Sequence, residues 1–217
     1  MRVLITAGPT YEPLDPVRFI GNHSTGKMGY ALAEAFAEQG AEVTLISGPT
    51  NLPDPASPRI RTTRVETADQ MYAAAAAVAH EADVWIFAAA VADYKPREAA
   101  LNKIKKDGDT LTLELVKNVD IAATLGRTKR AEQFSVGFAL ETNNEEAHAL
   151  DKLRRKNFDL VVLNSLRDPG AGFRHDTNKV TLLEAGGQTT IFELKPKAEV
   201  AHDIVRTVFA RLPYRDA

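Results

Sequence analysis

A repeated exchange of short apolar runs with stretches of helical period constrains this chain more than any other feature. Val3 to Ala7 reads as a buried strand ended by Gly8-Pro9. A loop with Pro13 and Pro16 follows. From Gly26 to Gln39, Met28, Ala31, Leu32, Ala35 and Phe36 share one helical face, and Gly40 stops the helix. Glu42–Ser47 and Ile60–Glu66 read as strands around a Pro-rich loop over 48–58. Ala68 to Glu81 reads as an alanine-rich helix capped by Thr67, with Asp69 and Gln70 in its first turn. Asp83 to Ala90 is the most apolar strand and therefore the central one.

The rhythm then changes. Tyr94 to Asp109 is charged and holds a Pro and a Gly, and Thr110 to Val116 alternates as a strand through Leu111, Leu113 and Leu115. Val119–Arg130 reads as a helix, Phe134–Ala139 as a strand, Asn143–Lys156 as a helix and Asp159–Asn164 as a strand. Val180–Glu184 and Thr190–Glu193 flank Gly186-Gly187 as a hairpin, and Lys197–Arg211 is an amphipathic helix. Strands alternating with such helices predict an α/β fold: one doubly wound, mostly parallel sheet covered on both faces. The segments 94–116 and 166–193 read as additions to that core, within one domain spanning residues 1–217. A ligand is expected at the carboxyl ends of the strands.

Charge and composition exclude several roles. A net charge of −2 gives no electrostatic support to nucleic-acid binding. With no cysteine there is no disulfide or thiolate site, which fits a reducing cytosol; a cytoplasmic protein is expected. The five histidines show no metal-binding spacing, so no protein-bound metal site is inferred. No apolar run approaches the ~20 residues that span a bilayer, and the N-terminus reads as a strand without the pattern of a signal peptide. A G-x-S-x-G elbow is also absent.

Three segments carry chemical possibilities. Gly21 to Gly29 (GNHSTGKMG) sits between a strand and a helix, where backbone N–H groups bind phosphate. It is neither the dinucleotide fingerprint nor a Walker loop. Alone it reads equally as a plain helix start capped by Ser24 or Thr25, with Gly29 allowing close packing. Ala88 to Ala92 is small enough for a ligand to approach the backbone, or for tight sheet packing, and Asp93 follows where the strand emerges. Lys103, Lys105 and Lys106 form a cationic loop, either solvated or closing over a site. Lys152 and Lys156, four apart, share a helix face.

Taken in order, the motifs are more specific. Ile5-Thr6-Ala7-Gly8-Pro9-Thr10, Glu12-Pro13, Asp15-Pro16-Val17-Arg18 and Asn22 to Gly29 come first. Ala89 to Tyr94, Lys103-Ile104-Lys105-Lys106, Lys117-Asn118 with Asp120-Ile121, and Gly137-Phe138 with Glu141-Thr142-Asn143 complete the set. Together they resemble bacterial phosphopantothenate–cysteine ligase, from about residue 2 to the C-terminal helix. The resemblance implies a Rossmann-like sheet with an inserted flap and a C-terminal hairpin. It implies that 4′-phosphopantothenate is activated by CTP as an acyl-cytidylate and joined to L-cysteine, with Mg²⁺ and lysines neutralising the triphosphate. By motif match, Gly8, Ser24, Gly26 and Gly29 would cradle phosphates. Phe87, Ala88, Ala89 and Asp93 would line the nucleotide site, and Val119, Asp120, Ile121, Ala122 and Phe138 the ribose and base pocket. Lys152 and Lys156 would reach the triphosphate, Lys103 would close a flap, and Asn22 would hold the acyl carbonyl or the substrate amide. Family members are dimers, a role that falls on 94–116. The common bacterial form also carries a flavin-dependent decarboxylase, to which nothing in these 217 residues corresponds, so a fused or separate partner is expected. A dinucleotide-dependent reductase and a non-catalytic nucleotide-binding module are the alternatives. The reductase lacks its glycine fingerprint, and the module is opposed by the intact lysines and asparagine.

Overall fold

The structure, a computed structural model, describes residues 1–106, 108–141, 143–165 and 175–212. Thr142 and the 166–174 part of the second expected addition lie outside the described residues. The strands in chain order are β1 (Arg2–Ala7), β2 (Tyr11–Pro13), β3 (Phe19–Gly21), β4 (Glu42–Ser47), β5 (Ile60–Arg64), β6 (Val84–Phe87) and β7 (Tyr94–Pro96). They continue with β8 (Leu115–Lys117), β9 (Phe134–Glu141), β10 (Leu160–Ser165), β11 (Thr177–Asn178), β12 (Val180–Glu184), β13 (Thr189–Ile191) and β14 (Lys195–Pro196). The helices are α1 (Lys27–Glu38), α2 (Ala68–Ala79), α3 (Ile121–Gly126), α4 (Glu145–Arg155) and α5 (Lys197–Arg211).

One eight-stranded sheet runs in the order β13-β12-β10-β9-β6-β1-β4-β5. The six strands from β10 to β5 are parallel, and β12 and β13 extend the sheet antiparallel. The chain fills one side of β1 with β4 and β5, then crosses to the other side with β6. The order therefore reverses between β1 and β6, and a crevice opens there at the carboxyl edge. The period of two along β1 explains the double winding. Val3, Ile5 and Ala7 pack under α1 and α5, while Leu4 faces the layer of α2, α3 and α4. This is the doubly wound α/β fold that the alternation predicts.

Several boundaries differ, each for a physical reason. The central strand ends at Phe87 instead of Ala90. Beyond it the backbone still follows the β1 turn, with Ala88 N–H on the Thr6 carbonyl at 3.1 Å and Ala90 N–H on the Gly8 carbonyl at 2.9 Å. The expected strand 110–116 forms only as β8, because a ladder needs a partner and β7 meets it only at 115–117. The expected helix 119–130 stops at Gly126, where a Cβ would meet the Lys156 carbonyl at 2.2 Å. Lys129 then turns inward, donating to Asp159 and to the Asn157 carbonyl. The proline loop after Gly8 contains the β2–β3 hairpin, clasped by the stacked rings of Tyr11 and Phe19. Thr67 does cap α2, in a reciprocal box with Gln70.

Helix α1 begins differently from expectation. Neither Ser24 nor Thr25 caps it; the cap residue is Gly26, at φ +80° and with no side-chain cap bond. A side chain is disfavoured at that φ, and the first-turn N–H groups are left without a side-chain acceptor. Gly29 then brings the helix onto β1, since a Cβ there would stand 2.5 Å from the Ala7 Cβ. Gly29→Ala is expected to destabilise the fold by about 1–3 kcal/mol through overpacking, read as a lowered denaturation midpoint. An unchanged midpoint would show that the two elements are free to separate.

Candidate active site

At the carboxyl edge, where the strand order reverses, lies a cavity of about 410 Å³. Its floor is the 88–92 segment, held by five hydrogen bonds to the end of β1, the turn after it and Asn22. Besides the two backbone bonds above, Ala92 N–H donates to the Thr10 hydroxyl at 3.0 Å. Asn22 Nδ2 donates to the carbonyls of Ala90 at 3.0 Å and Val91 at 3.2 Å. Its apolar lining comes from Phe87, Ile121 and Phe158 on the face of α2, α3 and α4, and from Phe138 on the face of α1 and α5. Gly137 makes room for Phe158, because a Cβ would fall 2.1 Å from that ring.

Four lysines and two aspartates line this cavity among the described residues, so it is cationic. Lys152 and Lys156 come from α4 and its cap and stand together, as their spacing predicts. Lys152 donates to the Phe138 carbonyl at 3.3 Å and faces Glu141 at 3.8 Å. Burial, then repulsion from Lys156, holds its ammonium below the ordinary lysine value, outweighing Glu141, Asp93 and Asp120. Lys156 donates to Asp120 at 2.9 Å, and Asp120 also caps α3 through the Ala123 N–H. Burial acts to raise the Asp120 carboxyl, but the Ala123 N–H, Lys156 and Arg155 together hold it below its usual value. Lys27 pairs with Asp176, and Lys197 donates to the His175 carbonyl.

Most residues chosen from sequence line this one space. Asn22, Ser24, Gly26 and Gly29 do so from the α1 entry, Phe87, Ala88, Ala89 and Asp93 from the β6 exit. Val119, Asp120, Ile121 and Ala122 come from the α3 entry, joined by Phe138, Lys152 and Lys156. Two do not line it. Gly8, at φ +76°, lies beneath, where a Cβ would press on the Gly48 backbone at 3.2 Å. Lys103 is exposed on its loop, away from the cavity. The base of that loop is nevertheless fixed. Buried Asp15 accepts from Ile104 N–H at 3.1 Å and binds Arg18 through two nitrogens, while Arg18 donates to the Ile104 carbonyl at 3.0 Å. Arg18, opposed in part by burial, holds the Asp15 carboxyl far below the usual carboxylate range.

Other lining residues had no individual role from the sequence, Lys27 and Asn118 standing there only within motifs: Lys27, Asn118, Phe158, Asn164, Asn178 and Lys197. Asn118 and Asn164 carried a signal, since each is polar at an element end beside the cavity. Asn178 and Lys197 carried none, being brought in by a two-residue strand and by the first residue of α5. The Oδ1 atoms of Asn118 and Asn178 are buried and have no hydrogen-bond partner among the described residues. A ligand donor or its hydration water would satisfy them. Among the described residues no group of three or more His, Cys, Asp or Glu could hold a metal ion. Asp93 and Asp120 are the carboxylates that line the cavity among the described residues. No described helix is long and apolar enough to cross a membrane.

Comparison with known proteins shows the family and the fold. The family described as the DNA/pantothenate metabolism flavoprotein C-terminal domain matches residues 1–212. The chain is 45% identical over 211 residues to the coenzyme A biosynthesis bifunctional protein CoaBC of Haemophilus influenzae, covering 97% of this chain and 52% of that protein. It is 50% identical over 207 residues to a cysteine/cysteine sulfinic acid decarboxylase of an unidentified prokaryote, covering 95% and 57%. The chain thus spans about half the length of the curated relatives it matches. The crystal structure of the C-terminal domain of CoaBC superposes with a TM-score of 0.82 at 42% identity, covering 97% of this chain and 96% of that one.

The direction of the Lys152 shift has a thermodynamic consequence. Between its lowered value and the ordinary lysine value the unfolded chain binds more protons, so this residue's contribution to stability rises with pH across that window. Lys152→Met is therefore expected to stabilise the protein at neutral pH by about 0.5–2 kcal/mol. The gain should shrink as pH rises toward the ordinary lysine range. Chemical denaturation at several pH values checks it, and a destabilised variant at neutral pH would refute it.

Proposed function

The chain belongs to the DNA/pantothenate metabolism flavoprotein C-terminal domain family, and on that premise we propose that it ligates 4′-phosphopantothenate to L-cysteine using CTP. The observation that carries this reading is the shared space itself: an uncapped helix start, four lysines and Asn22 face one cavity. A carboxylate is a poor acyl donor and must first be activated. In the first step its oxygen attacks the α-phosphorus of CTP, the bond from that phosphorus to the bridging oxygen breaks, and pyrophosphate leaves with the electron pair. The cysteine amine then attacks the acyl carbon, CMP leaves, and the amine proton passes to solvent.

This chain's residues would bind, orient and neutralise. The α1 start and Ser24 suit the phosphates, and Lys152 and Lys156 would offset their charge. The apolar lining residues Phe87, Ile121 and Phe138 suit a nucleoside, and Asn118 would offer it an acceptor. Asn22 already commits its Nδ2 to two carbonyls, so its Oδ1 would accept from the substrate amide while the donor keeps the floor in place. Lys103, beside an anchored Ile104, would reach the intermediate when its loop closes. A magnesium ion bound with the triphosphate would supply further charge neutralisation. A flavin-dependent decarboxylase, fused or separate, is the proposed partner that would consume the product.

A second copy of this chain is the proposed cover for the 94–116 segment. Tyr94, Leu111 and Leu115 are exposed there, and Leu101 is 93% exposed. Light scattering should then give the mass of a dimer, and a single-chain mass at micromolar concentration would remove the idea.

The function is tested by pyrophosphate release with 4′-phosphopantothenate, L-cysteine, Mg²⁺ and each nucleoside triphosphate in turn. Release is expected with CTP and should depend on 4′-phosphopantothenate; no release with any nucleotide would reject the reading. Asn22→Asp would set a carboxylate against the Ala90 and Val91 carbonyls and should lower product formation on the order of 100-fold. Near-normal turnover would free Asn22 from this role.

A further inference from the structure

The sheet divides the cavity's lysines into two pairs. Lys152 and Lys156 come from the α4 layer, while Lys27 and Lys197 come from the α1 and α5 layer on the other face. Lys27 is the first residue of the 12-residue α1, and Lys197 the first of the 15-residue α5. That placement is unfavourable in itself, because the positive end of a helix dipole attracts anions and repels cations. Lys197 is also 8% exposed. Burial, then the charge of Lys27, lowers its pKa, and Asp176 only partly opposes them. Two helix starts and two ammonium groups therefore converge on one wall, an arrangement that an anion would relieve.

A second observation, independent of the helix ends, points to a ligand. Asn178 is 1% exposed and lines the same wall. Its Nδ2 donates to Asn164 Oδ1 at 3.1 Å, which fixes the amide, yet its own Oδ1 has no partner among the described residues. A buried acceptor beside two ammonium groups suits a hydrated polyphosphate. Waters around a phosphate-bound cation are donors, whereas phosphate oxygens alone accept.

We propose that Lys197, with Lys27 and Asn178, forms the subsite for the pyrophosphate end of the nucleotide. This rests on the nucleotide-dependent reading above and extends it to the leaving group. As the α-phosphorus is attacked and its bond to the bridging oxygen breaks, the departing pyrophosphate takes the electron pair. Lys197 stays protonated throughout and offsets the growing charge, so no proton transfer is needed. The phosphate of 4′-phosphopantothenate has related chemistry and is the competing occupant.

The test uses the full chain with Mg²⁺. Inorganic pyrophosphate and 4′-phosphopantothenate are titrated separately, by calorimetry, into wild type, Lys197→Gln and Lys197→Arg. Rapid quench then compares acyl-cytidylate formation with conversion of preformed acyl-cytidylate by cysteine. Lys197→Gln should weaken pyrophosphate binding about tenfold or more, slow the first half-reaction more than the second, and be rescued largely by Lys197→Arg. If Lys197→Gln does not fold, Lys27→Gln, at a more exposed position, carries the same comparison. Unchanged pyrophosphate affinity in a folded variant would overturn the subsite, as would a loss confined to 4′-phosphopantothenate. A wild type that binds pyrophosphate through Lys197 but releases none from CTP would support the subsite and count against the reading it extends.

Discussion

The contact of Gly29 with Ala7 sets the geometry on which the cavity depends. It seats the first turn of α1 on the end of β1, with only the Ala7 methyl between helix and strand. Because Gly26 precedes it in a left-handed conformation, the chain enters the helix without a capping hydroxyl. The N–H groups of that turn therefore remain available at the carboxyl edge of the sheet. The reversal of strand order between β1 and β6 then opens the space that they face. Helix, strand end and crevice meet because two glycines remove the atoms that would hold them apart.

The floor of the cavity is a strand that stops being a strand without leaving the sheet. Residues 88–92 follow 6–10 by hydrogen bonds at alternate positions, first to backbone and then to the Thr10 side chain. Asn22 and Asn118 complete the fixing from two other elements, Asn118 donating to the Ala92 carbonyl at 2.8 Å. The resulting backbone is rigid and carries only small side chains. A ligand can lie against it without displacing anything bulky.

Much of this was legible in the sequence, and the rest was hidden for identifiable reasons. The alternation of periods fixed the winding, since each apolar face needs a layer to cover it. Thr67 announced its cap by its place before the alanine-rich run, and Lys152 and Lys156 their shared face by a separation of four. The β2–β3 hairpin was obscured by Pro13, which sits at its end and mimics a loop. Leu111 and Leu113 imitate a strand because alternation records a pleat but not the presence of a partner. Asn178 and Lys197 were invisible because their roles come from tertiary placement; a buried amide and a helix-opening lysine have no distinctive local pattern.

The same placement explains how a cationic cavity can persist in a folded chain. Lysines facing one space repel each other, and that cost grows as water is removed. The chain answers with a nearby carboxylate: Asp176 for Lys27, Asp120 for Lys156, and Glu141 at longer range for Lys152. These pairings are unequal. Asp120 is also tied to the start of α3, so it cannot follow Lys156 if the lysine moves. The side chain of Asp176 is 82% exposed, and its pair with Lys27 stands in high dielectric where exchange with another anion costs little. The Lys27–Asp176 pair is thus the more easily opened of the two, and the Lys156–Asp120 pair is held by the start of α3.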